Sequence, residues 1–250
     1  MKNFTLEACV DSVESALAAV RGGADRLELC GILIIGGTTP DFHLFQEIRR
    51  YTDIPIHVLI RPRFGDFLYT EHEFRIMEED IRSFKELGAQ GAVIGILKEN
   101  GDLDADRMKI LMEEAEGMKV TLHRAFDVCR DPFAALEQAK DLGVDIVLTS
   151  GQKNSCLEGK EMIRQLVRME EGRITIQAGG GVNADVIRVL QPYTGVHAFH
   201  MSGKVSLESP MKFRRGGVPM GLDSLSEFTI FRTDEGKIRE AAEALQELAR

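Results

Sequence analysis

The chain has no C-x-x-C pair, no long apolar run, no tract of Lys and Arg, and only 7 prolines in 250 residues. Each absence excludes something. No apolar stretch approaches the roughly 18 residues that a membrane helix needs. The N-terminal MKNFTLEACVDS lacks the apolar run of an export signal. The four cysteines, Cys9, Cys30, Cys129 and Cys156, are therefore expected as reduced thiols in the cytoplasm. The basic residues number 31 against 40 acidic ones, for a formal net charge of −9. That balance argues against nucleic acid and against an anionic membrane surface as partners, while leaving room for a local cationic pocket. What remains is ordinary globular composition, 44% apolar and 28% charged with 24 glycines. A chain of this length buries a large core without a disulfide or metal staple, and one domain spanning residues 1–250 is expected.

A repeated unit sets the fold class. GGADRLELC, LGAQGAVIGIL and LGVDIVLTSG are one pattern written three times. In each, a helix ends on glycine, a short polar step follows, and a buried apolar strand begins, the signature of recurring βα units. Between these units the chain supplies helix starts at Asp11 or Ser12, at Thr38–Thr39 with Pro40 in the first turn, and at Asp131 before Pro132. Eight strand–helix units in strict alternation predict one parallel sheet, and eight strands close a barrel whose interior side chains just fill. The expectation is a single-domain α/β protein, a (β/α)8 TIM barrel. An open doubly wound sheet is the alternative, weakened because no G-x-G-x-x-G follows the first strand. Residues 203–232, containing FRRGGVPMG, break the alternation and are expected to form an irregular insertion before the last helix.

In such a barrel, chemistry collects at the C-terminal ends of the strands. VTLHRAFDV is the plainest case, an apolar strand that turns abruptly polar at His123, Arg124 and Asp127. Read at the same level, the chain offers Glu7 and Cys9, Glu28 and Cys30, His57 and Arg61, Thr149 and Ser150, and His200 and Ser202. Residues two or four apart on a strand share one face. The helix-facing side is apolar core, so these groups must point into the barrel, where they need partners. They form either a structural ion-pair plug or a ligand site. As a site, Glu7, Glu28, His57 and His123 are candidate acids and bases, and Arg61 and Arg124 would orient an anion. His43, His72 and His197 are expected on the surface or in packing.

Two further patterns stand out. The E-x-C unit occurs on neighbouring strands, as Glu7–Cys9 and Glu28–Cys30, which brings two thiols together. Paired thiolates suit a soft monovalent ion such as Cu(I), although buried cysteines also serve as small hydrophobes. Cys129 and Cys156 fall in or near loops after the fifth and sixth strands. Gly179, Gly180 and Gly181, followed by Ser202 and Gly203 one strand later, occupy the place where barrels hold a phosphate or other small anion on backbone N–H groups. No organic cofactor motif is evident.

Taken together, LEACVDSVESA, GGADRLELC, GGTTPD, HVLIRPRFGDFLY, TLHRAFDV, LTSGQ, GGGVN and FHMS resemble the CutC family, the copper homeostasis proteins. The likeness runs in order and is densest over residues 4–202. It implies a TIM barrel and a cytoplasmic protein linked to copper handling, with Cys9 and Cys30 matching the family's strand-end cysteines. One departure is Ile34–Ile35, where a Ser-Glu pair is expected; it implies a drier mouth or a loop packed on another subunit. The expectations are a copper homeostasis protein with Cys9 and Cys30 as Cu(I) ligands, or an enzyme of isomerase, aldolase or hydrolase type acting on a small phosphorylated or carboxylated substrate. A homo-oligomer, dimer or higher, is expected, with the 203–232 stretch as a candidate interface.

Overall fold

The computed structural model describes residues 4–218, 220 and 225–249. The elements run β1 (Thr5–Val10), α1 (Val13–Gly22), β2 (Arg26–Leu29), α2 (Phe42–Arg49), β3 (Ile56–Leu59), α3 (Glu71–Glu86), β4 (Gly91–Ile94) and α4 (Ala105–Glu114). They continue with β5 (Lys119–Leu122), α5 (Pro132–Leu142), β6 (Ile146–Thr149), α6 (Lys160–Arg168), β7 (Thr175–Ala178), α7 (Ala184–Thr194), β8 (Ala198–Met201), β9 (Lys204–Glu208), β10 (Thr229–Thr233) and α8 (Glu235–Leu248). Strands β1 to β8 form a closed barrel in sequence order, with β8 pairing back onto β1. The barrel read from the repeat is therefore the observed architecture.

Local signals place the helices. Ser12 caps α1 by accepting the Ser15 N–H, and Gly23 closes the helix at φ 95°, a left-handed conformation that glycine adopts without penalty. Thr70 and Glu73 form a reciprocal capping box at the start of α3, and Phe74, Met77, Ile81 and Phe84 lie buried along one face of that helix. Asp131 caps α5 with Pro132 in the first turn. The second helix differs from expectation. Asp41, not a threonine, caps α2, because its carboxylate accepts the His43 N–H, and Pro40 stays outside the helix.

The main apolar core lies between the strands and the helix ring. It joins Val10, Leu29, Val58, Ile94 and Leu122 to helix residues such as Ile48, Met77, Leu111 and Ile187. Each such side chain contributes roughly 1.5–3 kcal/mol on burial, so the barrel does not depend on its polar interior for most of its stability. The stretch expected to be irregular is only partly so. Its ends pair as the antiparallel ribbon β9–β10, with Val205 opposite Arg232 and Leu207 opposite Ile230, and residues 209–218 between them have no regular structure. Alternation in KVSLE and TIFRT marks the two strands, but they lie far apart in sequence. Part of the stretch, at 219 and 221–224, lies outside the described residues.

Candidate functional site

The barrel register decides which polar side chains meet. Glu7 stands beside Arg26 and Cys9 beside Glu28. Glu28 stands beside His57, His57 beside Gly91, and Glu7 beside His200 across the β1–β8 closure. Gly91 leaves room for its neighbour: a Cβ there would lie 2.4 Å from the His57 ring.

On the β1–β2–β8 side all but one of the polar groups satisfy one another, the exception being Glu28 Oε2. Glu7 is fully buried. It accepts from Arg26 Nε at 2.5 Å and from Gln177 Nε2 at 3.0 Å, and its Oε1 lies 2.7 Å from His200 Nδ1. Burial would raise its pKa, but Arg26 and His200 overcome that and hold the carboxyl well below its ordinary value. His200 is the reverse case. Burial would lower it, yet Glu28, Cys9 and Glu7 hold it well above 6.5, and its Nδ1 lies between Glu7 Oε1 at 2.7 Å and Glu28 Oε2 at 3.9 Å. Glu28 is raised, by burial first and by the Glu7 charge.

The thiols belong to this same group. Cys9 Sγ lies 3.5 Å from Glu28 Oε1 and 3.8 Å from Cys30 Sγ, and Cys30 also approaches the Val10 carbonyl at 3.6 Å. The Cys9 thiol is pushed well above its ordinary value by the Cys30 thiol, by burial and by Glu28. Cys9, Glu28 and His200 each offer a ligand atom, all within 4.8 Å of one another. Cys30 sits behind Cys9, fully buried in a small apolar cluster with Leu59 and Val93. Two soft thiols, an imidazole and a carboxylate at this spacing can hold a thiophilic ion.

The β3–β5 side is arranged differently. Arg61 is only 7% exposed. Its guanidinium donates to the carbonyls of Gly36, Gly37 and Gly65 and lies over the Phe67 ring at 5.0 Å. Its Nε–H has no partner, and no carboxylate lies within ion-pair distance of it among the described residues. His123 packs against the same aromatic ring, 4.9 Å from Phe67 between ring centroids. Burial and the Arg61 charge lower its pKa to about 3. His123 Nδ1 accepts the Ala125 N–H at 3.2 Å, so the proton of the neutral ring resides on Nε2, which has no partner. His57 is lowered to about 4, mainly by burial and by Arg26.

Between the two sides lies a cavity of about 290 Å³, whose walls include Cys9, Glu28, Arg61, His123, Arg124 and His200. Glu7 and His57 are not among its lining residues; they are buried in the layer beneath. Of the glycine loop, Gly180 and Gly181 line the cavity with Ser202. Both glycines have positive φ, 88° and 81°, and their N–H groups have no partner among the described residues. Gly179 instead packs on Leu148, and Gly203 faces an adjoining outer cleft. Arg124 is held by Asp127 at 2.6 Å and Ser150 at 2.8 Å. Asp127 also accepts from Thr149 and the Ser150 N–H, which pins the β6 end. The apolar contact from the loop after β2 comes from Leu33, which packs on the Cys9–Cys30 cluster and lines the cavity, while Ile34 borders a separate outer cleft. Cys129 and Cys156 do not reach the cavity, and burial pushes both thiols up to about 11.

Sequence reasoning overlooked two partners, Arg26 and Gln177. Each stands two residues before a residue already singled out, Glu28 and Gly179, on the same strand face, and that parity was the available signal.

A sequence model of the CutC family matches residues 4–205. The chain belongs to the CutC family. A CutC family protein of Histophilus somni is 45% identical over 242 residues, covering 97% of this chain and 99% of the relative. The copper homeostasis protein cutC homolog of Homo sapiens is 45% identical over 237 residues, 94% of this chain and 87% of the relative. The crystal structure of CutC from Streptococcus agalactiae superposes with a TM-score of 0.76 at 33% identity, covering 80% of this chain and 98% of that one. Thiamine phosphate pyrophosphorylase from Pyrococcus furiosus, at 16% identity and a TM-score of 0.57, shares the fold alone. The family match ends at 205, so it covers all eight CutC barrel strands but not β10 or α8.

Proposed function

We propose that this CutC protein takes part in copper homeostasis by binding one Cu(I) at the barrel mouth, with Cys9 and Cys30 as thiolate ligands and His200 and Glu28 beside them. The observation that carries this reading is the 3.8 Å separation of the two sulfurs. Two thiolate–metal bonds of roughly 2.3 Å each can meet at one ion across that gap. Thiolate softness favours Cu(I) over the hard cations. The Cys9 proton must leave for the metal to bind, and the reading places the protein in the reducing cytoplasm, where both thiols stay free.

The test is an anaerobic titration of reduced, metal-free protein with Cu(I) against a competing chelator. Wild type is expected to bind one equivalent, and Cys9→Ser/Cys30→Ser to lose it. Unchanged stoichiometry and affinity in the double variant would reject the site.

A further inference from the structure

The two thiols differ in access. Cys9 lines the cavity of about 290 Å³, whereas Cys30 does not line it and is fully buried. What covers Cys30 is the loop after β2, GILIIGGT. Leu33 packs on the cluster formed by Cys9, Cys30, Leu59 and Val93. Gly37 fits against Cys30 because it has no side chain: a Cβ there would lie 3.4 Å from Cys30 Sγ and 2.7 Å from Leu59. Leu33 and Gly36 in turn line the cavity, so the loop stands between that space and the second sulfur.

The loop is pinned at its base and tied at its head. At the base, Gly31 and Thr38 exchange two backbone hydrogen bonds, at 2.8 and 2.9 Å. Thr39 is fastened to the end of β3: its N–H donates to the Arg61 carbonyl and its hydroxyl accepts the Arg61 N–H, each at 2.9 Å. The head, residues 32–37, is tied by side chains. Leu33 N–H donates to Asp11 at 3.1 Å, and the carbonyls of Gly36 and Gly37 accept from Arg61 Nη1 at 3.3 and 3.0 Å. Arg61 is itself fixed elsewhere, by the Gly65 carbonyl at 2.7 Å and the Phe67 ring. The seated head is also strained. Ile32 has φ 46° and ψ 56°, a left-handed conformation disfavoured for a β-branched side chain. It is 58% exposed, so burial of its own side chain does little to offset that strain. Gly36 and Gly37, at φ 90° and 84°, adopt positive φ without such cost.

We propose that residues 32–37 are a lid over Cys30, with Leu33 as its plug and Arg61 as its latch. When the lid lifts, Leu33 and Gly37 leave the thiol, the bonds from Arg61 to the two glycine carbonyls break, and Ile32 relaxes to an extended backbone. The Gly31–Thr38 bridge and the Thr39–Arg61 bonds hold the base, so the movement is confined to the head. Seated, the lid keeps the buried pair from solvent; lifted, it opens both sulfurs to an incoming ion at once. This gives Arg61 a use that needs no counter-ion, because its donors serve the loop. The proposal rests on the copper reading only for what enters, since the movement belongs to the loop itself.

The experiment is pulse alkylation of reduced, metal-free protein with N-ethylmaleimide at rising urea concentrations below the unfolding transition, with each cysteine read by peptide mass spectrometry. Cys156, fully buried in the main core, reports global unfolding. Wild-type Cys30 is expected to react faster than Cys156 and at a rate almost independent of urea, because lifting one loop exposes little surface, while Cys156 follows urea steeply. Arg61→Met should raise the urea-independent rate at Cys30 roughly tenfold, the worth of one hydrogen bond to a charged group. Leu33→Ala should raise it as well, with the latch intact. Circular dichroism establishes that each variant is folded. A Cys30 rate that climbs with urea in step with Cys156, or one that neither variant increases, overturns the proposal. No copper is present, so this outcome stands apart from that of the Cu(I) titration: a protein that binds no copper can still show the lid, and one that binds copper can fail to.

Discussion

The two sides of the barrel mouth solve the problem of buried charge in opposite ways. Around β1, β2 and β8, two carboxylates, a guanidinium and an imidazole are cross-connected, with Glu7 alone contacting Arg26, Gln177 and His200. Around β3 and β5, the Arg61 guanidinium and the His123 ring pack on Phe67 with no carboxylate in ion-pair distance of Arg61 among the described residues, and Nε of Arg61 and Nε2 of His123 are left over. The first arrangement is satisfied within the protein except at Glu28 Oε2, which has an ion-pair neighbour in His200 at 3.9 Å but no hydrogen bond, and it is the one that also carries the thiols. The second is short of an acceptor. Equal burial therefore does not mean equal role: a closed network resists change, and an open one has capacity for a ligand.

Breaking the closed network should have the largest effect. Glu7→Ala leaves Arg26 without its carboxylate and is expected to cost about 3–5 kcal/mol in urea unfolding. A loss below about 1 kcal/mol would mean that the network is not the stabilising unit described.

Acid should act next, through the open side. His57 and His123 have folded pKa values near 4 and 3 against an ordinary 6.5. The unfolded chain thus takes up protons below pH 6.5 that the fold refuses, so stability is full above 6.5 and falls as the pH drops towards 4. His57 alone accounts for roughly 3 kcal/mol over that window. On the closed side His200, being raised, loses its contribution only as pH climbs through its elevated value, the depressed Glu7 loses its contribution below its ordinary 4.5, and the raised Glu28 partly opposes the slope because the fold takes up its proton above 4.5. Unfolding midpoints measured from pH 7 to 4 should slope downward, less so in His57→Gln. A flat profile would contradict the neutral, buried state of these rings.

The smallest effect should follow Arg61→Met. No carboxylate is orphaned by it, and the side chain keeps its volume over Phe67, but the buried Gly37 carbonyl loses its donor, so the expected cost is about 1–2 kcal/mol in the same urea assay. A loss matching that of Glu7→Ala would erase the distinction between the two sides.

The barrel was legible because its cues are local. A glycine that ends a helix, a polar step and an apolar strand recur within a dozen residues, and they located most strands to within a few positions. The strand-end groups were legible for the same reason, since alternation alone puts Glu7 with Cys9 and Glu28 with Cys30 on one face. Pairing between strands was not. That His200 sits between Glu7 and Glu28 depends on the β1–β8 closure, the longest-range contact in the barrel, and that Arg26 neutralises Glu7 depends on the β1–β2 register. The β9–β10 ribbon was missed for a similar reason: its strands are joined only across an intervening stretch that carries no pattern. Leu33, flanked by the conspicuous Ile34–Ile35, turned out to be the residue that meets the thiols.

The central claim is that the thiols of the closed side form a metal site. X-ray absorption at the copper edge of protein loaded with one equivalent of Cu(I) tests it most directly. The account predicts sulfur scatterers from Cys9 and Cys30 with a lighter neighbour from His200 or Glu28, and loss of the sulfur signal in Cys9→Ser/Cys30→Ser. A first shell of nitrogen and oxygen alone, or a spectrum unchanged in the double variant, would contradict it.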